Sequence, residues 1–284
     1  MAAAPDPPEV SVIVPAFNAE STIEALLDGL ASQVTARGFE VVVVNNASTD
    51  RTAAIVRSHH LAPRLIGEAT RGSYAARDAG IRSAHGSIFA FVDADCVPAP
   101  EWLDAGMAAI EEGADLVAGR IDPRLGLSPT VWARYDAALY LDQAAQVAEE
   151  GFGATANLFV RRAVFDGVGE FDATLLSGGD LELCRRATAG GFVLAYADDA
   201  VVAHEPRSSL TSTWKLHRRL GAGWSELARR GLRGPWWRDP ALRTSPGWVA
   251  WRSQRHANPL RVRHLLPVHL VAMGARWWGR LRGR

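Results

Sequence analysis

The chain has little with which to staple itself or to cross a membrane. It holds two cysteines, Cys96 and Cys184, in 284 residues. That is too few for a disulfide framework, and a reduced compartment is the default. No stretch reaches 18 apolar residues, so no helix is expected to span a bilayer. Met1-Ala-Ala-Ala-Pro-Asp-Pro-Pro lacks the basic region and apolar core of a signal peptide. No Gly-x-Gly-x-x-Gly follows the first strand-like run, which argues against a dinucleotide oxidoreductase. No internal repeat is visible. Lys215 is the sole lysine, so nearly all basic charge is arginine. Acidic residues are almost missing from the end: Pro206 to Arg284 holds 17 Lys+Arg against 2 Asp+Glu, leaving 14 against 29 for the rest. The zero net charge therefore hides an acidic body and a basic tail, and the tail carries 8 of the 10 Trp.

What is present reads as alternating strands and helices. The length and a hydrophobic content of 48% suffice for one large core, or for a domain with an appendage. Val10 to Pro15 and Phe39 to Val44 are β-branched runs expected as buried strands. Ser21 and Glu24 have the spacing of a capping box before a helix with Ile23, Leu26, Leu27 and Leu30 on one face. Ser48-Thr-Asp50 is placed to cap the next helix, Arg64 to Ile66 reads as a third strand, and a helix through Ala75 to Ile81 leads to the strand Ile88 to Val92. Further on, Ala99 to Glu112 and Pro129 to Glu150 read as helical. Asp115 to Gly119, Ala154 to Val160 and Phe192 to Tyr196 read as strands, and Gly178 to Gly190 contains a helix. Such alternation predicts a parallel α/β sheet with ligands at the carboxyl ends of the strands.

Asp93 and Asp95 stand one residue apart at the end of a buried strand. Side chains at that spacing share a face if the chain stays extended. Two carboxylates there repel unless a cation lies between them, and hard oxygen ligands suit Mg²⁺ or Mn²⁺ shared with a diphosphate. A solvated turn is the plain alternative for a lone Asp-x-Asp.

Other motifs surround this pair in a set order: Val-Ile-Val-Pro-Ala-Phe-Asn (12–18), Val-Asn-Asn-Ala-Ser-Thr-Asp-Arg-Thr (44–52), Arg-Gly-Ser-Tyr-Ala-Ala-Arg-Asp-Ala-Gly (71–80), Asp-Ala-Asp (93–95) and Gly-Gly-Asp-Leu-Glu-Leu (178–183). Together they resemble the family 2 glycosyltransferases of the GT-A fold, from about Val10 to about Gly223. The resemblance implies a Rossmann-like, mostly parallel nucleotide-diphospho-sugar transferase sheet over 10–205, after an unstructured 1–9, with 206–284 as a helical basic Trp-rich extension. It implies inverting transfer from a nucleotide-sugar, UDP-linked first and GDP or TDP next. Asp95 would bind the metal, and Asp93 the ribose or a metal-bound water. Asp180 would be the general base, because an acceptor hydroxyl must lose a proton as it attacks the anomeric carbon. His204 would complete the metal site. Pro15, Ala16 and Asn18 would shape the base pocket, and Asn46, where the family usually has an acidic residue, would accept from a uracil N–H. Arg71 would reach a phosphate or cap its loop, and Arg77 and Asp78 stand where the family often has an Arg and an Asn facing the nucleotide. Gly179 replaces the usual Glu beside the base. A non-catalytic GT-A scaffold or nucleotide-binding partner is the alternative, and three retained carboxylates argue against it.

The tail begins with Thr213-Trp-Lys-Leu-His-Arg-Arg-Leu-Gly-Ala-Gly-Trp224, similar to the Arg/His-rich helix that follows the family's catalytic core. There His217, Arg218 or Arg219 would touch a phosphate. Trp236, Trp237, Trp248, Trp251 and the Arg/Trp run to Arg284 suit an anionic lipid surface. The expected location is cytoplasmic, peripheral on the inner face of the membrane, with a lipid-linked or glycan acceptor. Packing of the tail on the core or in a homo-oligomer competes with that reading, and nucleic acid is not an expected partner.

Overall fold

The structure, a computed structural model, describes residues 7–139, 142–233 and 262–282. Residues 1–6 of the N-terminal segment, and Trp236, Trp237, Trp248 and Trp251 of the tail, lie outside the described residues. β1 (Val10–Ala16) and β2 (Phe39–Asn45) bury consecutive side chains, the pattern of strands covered on both faces. Between them α1 (Ile23–Ala31) buries Ile23, Leu26, Leu27 and Leu30. After β2 come α2 (Thr52–Ser58), β3 (Arg64–Gly67), α3 (Ser73–Ser83) and the fully buried β4 (Ile88–Val92). β1 pairs in parallel with both β2 and β4, and β2 with β3, so all four carboxyl ends meet at one edge.

The chain then turns into β5 (Cys96–Pro98) and continues through α4 (Trp102–Glu111), β6 (Leu116–Pro123) and α5 (Val131–Leu139). A three-residue α6 (Gln143–Ala145) runs into a π-helical turn, Gln146–Glu150. β7 (Asn157–Arg161), α7 (Arg162–Val168), α8 (Gly179–Ala189), β8 (Leu194–His204), α9 (Leu210–Arg229) and α10 (Val262–Arg282) complete the described elements. The sheet order is β3-β2-β1-β4-β7-β6-β8-β5, with β7 antiparallel to β4 and β6, and β5 antiparallel to β8.

Three local expectations change. The Ser21–Glu24 capping box does not form: Thr22 is the N-cap and makes no side-chain cap. The loop after β2 holds that segment instead, through Ala19 N–H to Thr52 Oγ1 (2.8 Å) and Glu20 N–H to Asp50 Oδ2 (3.1 Å). The strand read at Phe192–Tyr196 begins at Leu194 and runs on as the single β8 to His204. The helix expected over 129–150 is divided into α5, α6 and the π turn.

The contacts divide the chain into two compact units. The first comprises Met1–Asp122, Asp142–Ala173 and Gly179–His204, and the second Pro123–Leu141, Thr174–Gly178 and Glu205–Arg284. In the first, Asn157 is fully buried and joins elements that have no covalent reason to stay together. Its Nδ2 donates to the Arg120 and Ala200 carbonyls (2.8 Å each), and its Oδ1 accepts Trp102 Nε1–H (2.8 Å). Asn157→Ala leaves those three groups unmet in the core. A loss of about 2–4 kcal/mol is expected, read as a lowered urea midpoint at unchanged slope.

In the second unit α5 and α10 share a core of Tyr135, Ala138, Leu265, Val268 and Ala272. Gly221 on α9 and Gly279 on α10 let the two helices approach, since a Cβ at either would meet the carbonyl of Arg276 or Arg218. His217 faces this core with 5% exposure, not a phosphate, and Tyr135 Oη and His269 Nδ1 lie 3.0 Å apart beside it. Burial, with Arg276 and Arg207 nearby, pulls the His217 pKa down to about 3 from an ordinary 6.5. The unfolded chain therefore binds a proton between those values that the folded chain refuses, so His217 costs stability as pH falls from 6.5. His217→Gln is expected to flatten the pH dependence between 6.5 and 4.5, by roughly 1 kcal/mol per pH unit. Paired urea titrations of the two proteins isolate this from Asp78, which acts in the opposite sense.

Candidate active site

Asp93 leaves β4 directly, and Cys96 N–H donates to its carbonyl (3.0 Å), closing a tight turn into β5. The backbone at Asp93–Asp95 is thus bent and not extended as the spacing argument required. The two carboxylates are held apart by different partners. Asp93 Oδ1 takes Nη2 of Arg77 at 2.6 Å, and Asp95 Oδ2 lies 3.3 Å from Nε2 of His204. His204 reaches Asp95 because β5 and β8 pair with Cys96 opposite His204. That strand pairing joins residues 109 positions apart.

Arg77 is 4% exposed, buried on the inner face of α3, one turn from Tyr74. Asp180 opens α8, and its Oδ2 accepts Thr155 N–H (3.2 Å) while Oδ1 is a buried atom without a hydrogen-bond partner among the described residues. Burial pushes the Asp93 carboxyl above the ordinary carboxylate range. Arg77 opposes this, and the charges of Asp95 and Asp180 add to it. Three carboxylates thus share a field with one guanidinium, which leaves the site acidic and suited to a divalent cation. Asp95 and His204 offer an oxygen and a nitrogen near enough to hold one ion, a donor set that Mn²⁺ accepts readily and Mg²⁺ by its oxygen.

The other expected residues line the edge where β1 and β2 end. Ala16 is buried and Pro15 half-buried. Asn18, at φ 49°, donates its N–H to Ser48 Oγ (3.0 Å) and accepts Thr49 N–H on Oδ1 (2.9 Å), joining the two loops. Asn46 is 5% exposed, and its amide is spent on backbone: Nδ2 donates to the Glu68 and Thr70 carbonyls and Oδ1 accepts Gly72 N–H at 2.9 Å. Those bonds engage the oxygen that the resemblance assigned to a uracil and make Asn46 the brace of the loop carrying Arg71. Arg71 is exposed, with its guanidinium 5.1 Å from the centre of the Phe17 ring, itself 47% exposed. Asp78 turns away to accept Phe171 N–H (3.0 Å), and burial raises its pKa to about 7. A carboxyl that holds its proton so long can stand in for the family's Asn.

Sequence reasoning missed Phe17, Tyr74, Thr155 and Phe171. Each is an ordinary core or turn residue by pattern, and only the fold brings it to the site. Two other features need no chemistry. Asp28, His59 and His60 lie together, but His59 already accepts Leu61 N–H on Nδ1 and meets Asp28 through Nε2 (3.1 Å), so its ring is satisfied without an ion. Cys96 and Cys184 are buried, and burial pushes the Cys184 thiol up to about 12, which keeps it inert.

Residues 11–169 match the family described as "Glycosyl transferase family 2". The "Glycosyltransferase AglE" of Haloferax volcanii is 36% identical over 222 residues, covering 76% of this chain and 73% of that protein. Among solved structures, the mannosyltransferase PcManGT of Pyrobaculum calidifontis, in complex with GDP-Man and Mn²⁺, gives a TM-score of 0.65 at 22% identity, covering 98% of this chain and 88% of its own. Glucosyl-3-phosphoglycerate synthase of Mycobacterium tuberculosis, with Mn²⁺, UDP and phosphoglyceric acid, gives 0.58 at 20% identity, covering 78% of each chain. Those two share with this chain the GT-A fold, here a mixed sheet whose first four strands are parallel. With the family matched over 11–169 and the AglE relative over most of both chains, this protein belongs to glycosyl transferase family 2 and is a glycosyltransferase.

Proposed function

We propose that this enzyme transfers a sugar with inversion from a nucleotide-sugar, a UDP-sugar first, to a hydroxyl of a lipid-linked or polysaccharide acceptor. The observation that carries the reading is the convergence of Asp93, Asp95 and Asp180 around buried Arg77, with His204 against Asp95. Asp95 and His204 would hold a divalent ion, which when bound would offset charge on the departing diphosphate. Asp93, turned by Arg77, would meet the donor ribose or a metal-bound water. Asp180, held at the start of α8 by Thr155 N–H, takes the acceptor proton on its carboxylate. Pro15, Ala16 and Asn18 form the floor of the base pocket, and Arg71 on Phe17 forms its rim. The solved relatives hold GDP-Man in one case and UDP in another, so the nucleotide is a property to be measured here. The test is nucleoside diphosphate release from a panel of UDP-, GDP- and TDP-sugars with Mn²⁺, with Mg²⁺ and with EDTA. Metal-dependent release from one donor supports the reading. If no donor is turned over and no nucleotide binds by calorimetry, the scaffold alternative takes its place.

The acceptor's lipid character rests on α10. No described helix is long and apolar enough to cross a membrane. Yet α10 leaves Leu266 (48%), Leu270 (62%), Trp277 (48%) and Leu281 (60%) exposed at helical spacing, with Arg280 and Arg282 in its last turn. An outward apolar stripe flanked by arginine suits the headgroup layer of an anionic membrane. Leu270→Glu with Trp277→Glu is expected to reduce sedimentation with phosphatidylglycerol vesicles at least tenfold. Equal binding to neutral vesicles, or insensitivity to salt, would remove the membrane from the proposal.

A further inference from the structure

The glycine beside the base and the tyrosine on α3 form a matched pair. A Cβ added at Gly179 would lie 2.7, 2.8 and 2.9 Å from Cζ, Cε2 and Cε1 of Tyr74, closer than unbonded carbons come. Any side chain at 179, including the Glu usual at that place, is therefore incompatible with this ring. The ring is closely held, so moving it is costly. It is 6% exposed, stacks on Phe171 with centroids 5.6 Å apart and planes at 22°, and has the Arg77 guanidinium 5.6 Å from its centre. Its hydroxyl accepts the N–H of Gly179 at 2.8 Å, at the first turn of α8, which Asp180 shares. An oxygen that accepts this bond still has its own proton to give. The carboxylate next in the chain is Asp180, whose Oδ2 is already oriented by Thr155 N–H.

We infer that Tyr74 is the positioning residue of the base: its phenol fastens the start of α8 from below, and its contact with Arg77 ties the base to the residue that turns Asp93. The phenol takes the place of the family's acidic side chain at 179, supplying a neutral hydroxyl where a second carboxylate would have supplied a charge. Burial raises the phenol's pKa far above its ordinary 10.0, and the nearby Asp180 charge raises it further, so the hydroxyl keeps its proton throughout the working pH range. This inference rests on Asp180 being the base, and the experiment separates the two.

The test is steady-state transfer by Tyr74→Phe, which keeps the ring and removes the hydroxyl, beside wild type and Asp180→Asn. The expected result is a fall in kcat of about 10-fold to 100-fold, the cost of a misplaced reacting group. The donor KM and the calorimetric affinity for UDP with Mn²⁺ should stay within about twofold. A purely structural role would move kcat, donor affinity and thermal midpoint together, and that outcome overturns the inference, as does wild-type kcat in Tyr74→Phe. Gly179→Ala supplies a second reading, because its methyl must displace the ring. It should lower kcat in the wild type and have far less effect once Tyr74→Ala has removed the ring. Equal effects in both backgrounds would show that the two residues do not act as a pair. If Asp180→Asn retains full activity, the base assignment fails first, whatever Tyr74 does.

Discussion

Asp180→Asn is expected to lower kcat by about 10³-fold while leaving donor binding intact. The substitution preserves volume, and an amide oxygen can still accept the Thr155 N–H that holds the carboxylate. What disappears is the capacity to take a proton. An acceptor hydroxyl attacking the anomeric carbon must shed its proton in the transition state, and the other two carboxylates described at the site are engaged elsewhere. Asp93 is engaged by Arg77 at 2.6 Å and Asp95 faces His204 at 3.3 Å. Because the loss falls on the transition state alone, it should show in kcat with the donor KM unchanged. Single-turnover transfer, with UDP affinity measured by calorimetry on the same samples, makes the comparison. A variant that loses nucleotide affinity as much as turnover would place Asp180 in the donor site and not at the acceptor.

The second large effect is expected from Asp95→Ala and from metal removal, and the two should be the same effect. Departure of a nucleoside diphosphate concentrates charge on an oxygen, and losing the ion that offsets it costs about 10²–10³ in kcat. Removing Asp95 takes away one of three carboxylates in a shared field and leaves His204 as the remaining proposed ligand. Wild type with EDTA and Asp95→Ala with Mn²⁺ should therefore fall to similar rates, and EDTA should add little to the variant. Were Asp95→Ala to keep metal-dependent turnover at the wild-type Mn²⁺ midpoint, the ion would have to sit on other ligands. His204→Ala is the graded companion: it removes one donor but keeps the carboxylate, so a raised Mn²⁺ midpoint with recovery at saturating metal is expected.

The amino-acid sequence by itself determined the layered α/β class, because β-branched runs such as Val41–Val44 and Phe89–Val92 are covered on both faces and can only be interior strands. It also marked three carboxylates that the fold brings together near Arg77. Asp93, Asp95 and Asp180 each stand at the end of a strand or the start of a helix, and that local grammar is written in contiguous residues. It was blind to features made by long-range register. The pairing of Cys96 with His204 sets a histidine beside Asp95 from 109 residues away, and no periodicity encodes it. The bend at Asp93–Asp95, closed by the Cys96 N–H, was hidden because an apolar run does not reveal where its hydrogen bonds stop. Asn46 pointed to a base by its place after β2. Its amide is consumed by a loop 22 to 26 residues further on, since a buried amide takes whatever backbone the fold presents. His217 suggested a phosphate by its arginine neighbours and instead faces a helical core, because a helix shows its solvent face and its buried face at residues only one or two apart. Tyr74 and Gly179, 105 positions apart, look unrelated in the chain, and only tertiary packing, which forbids two atoms the same space, makes them one device.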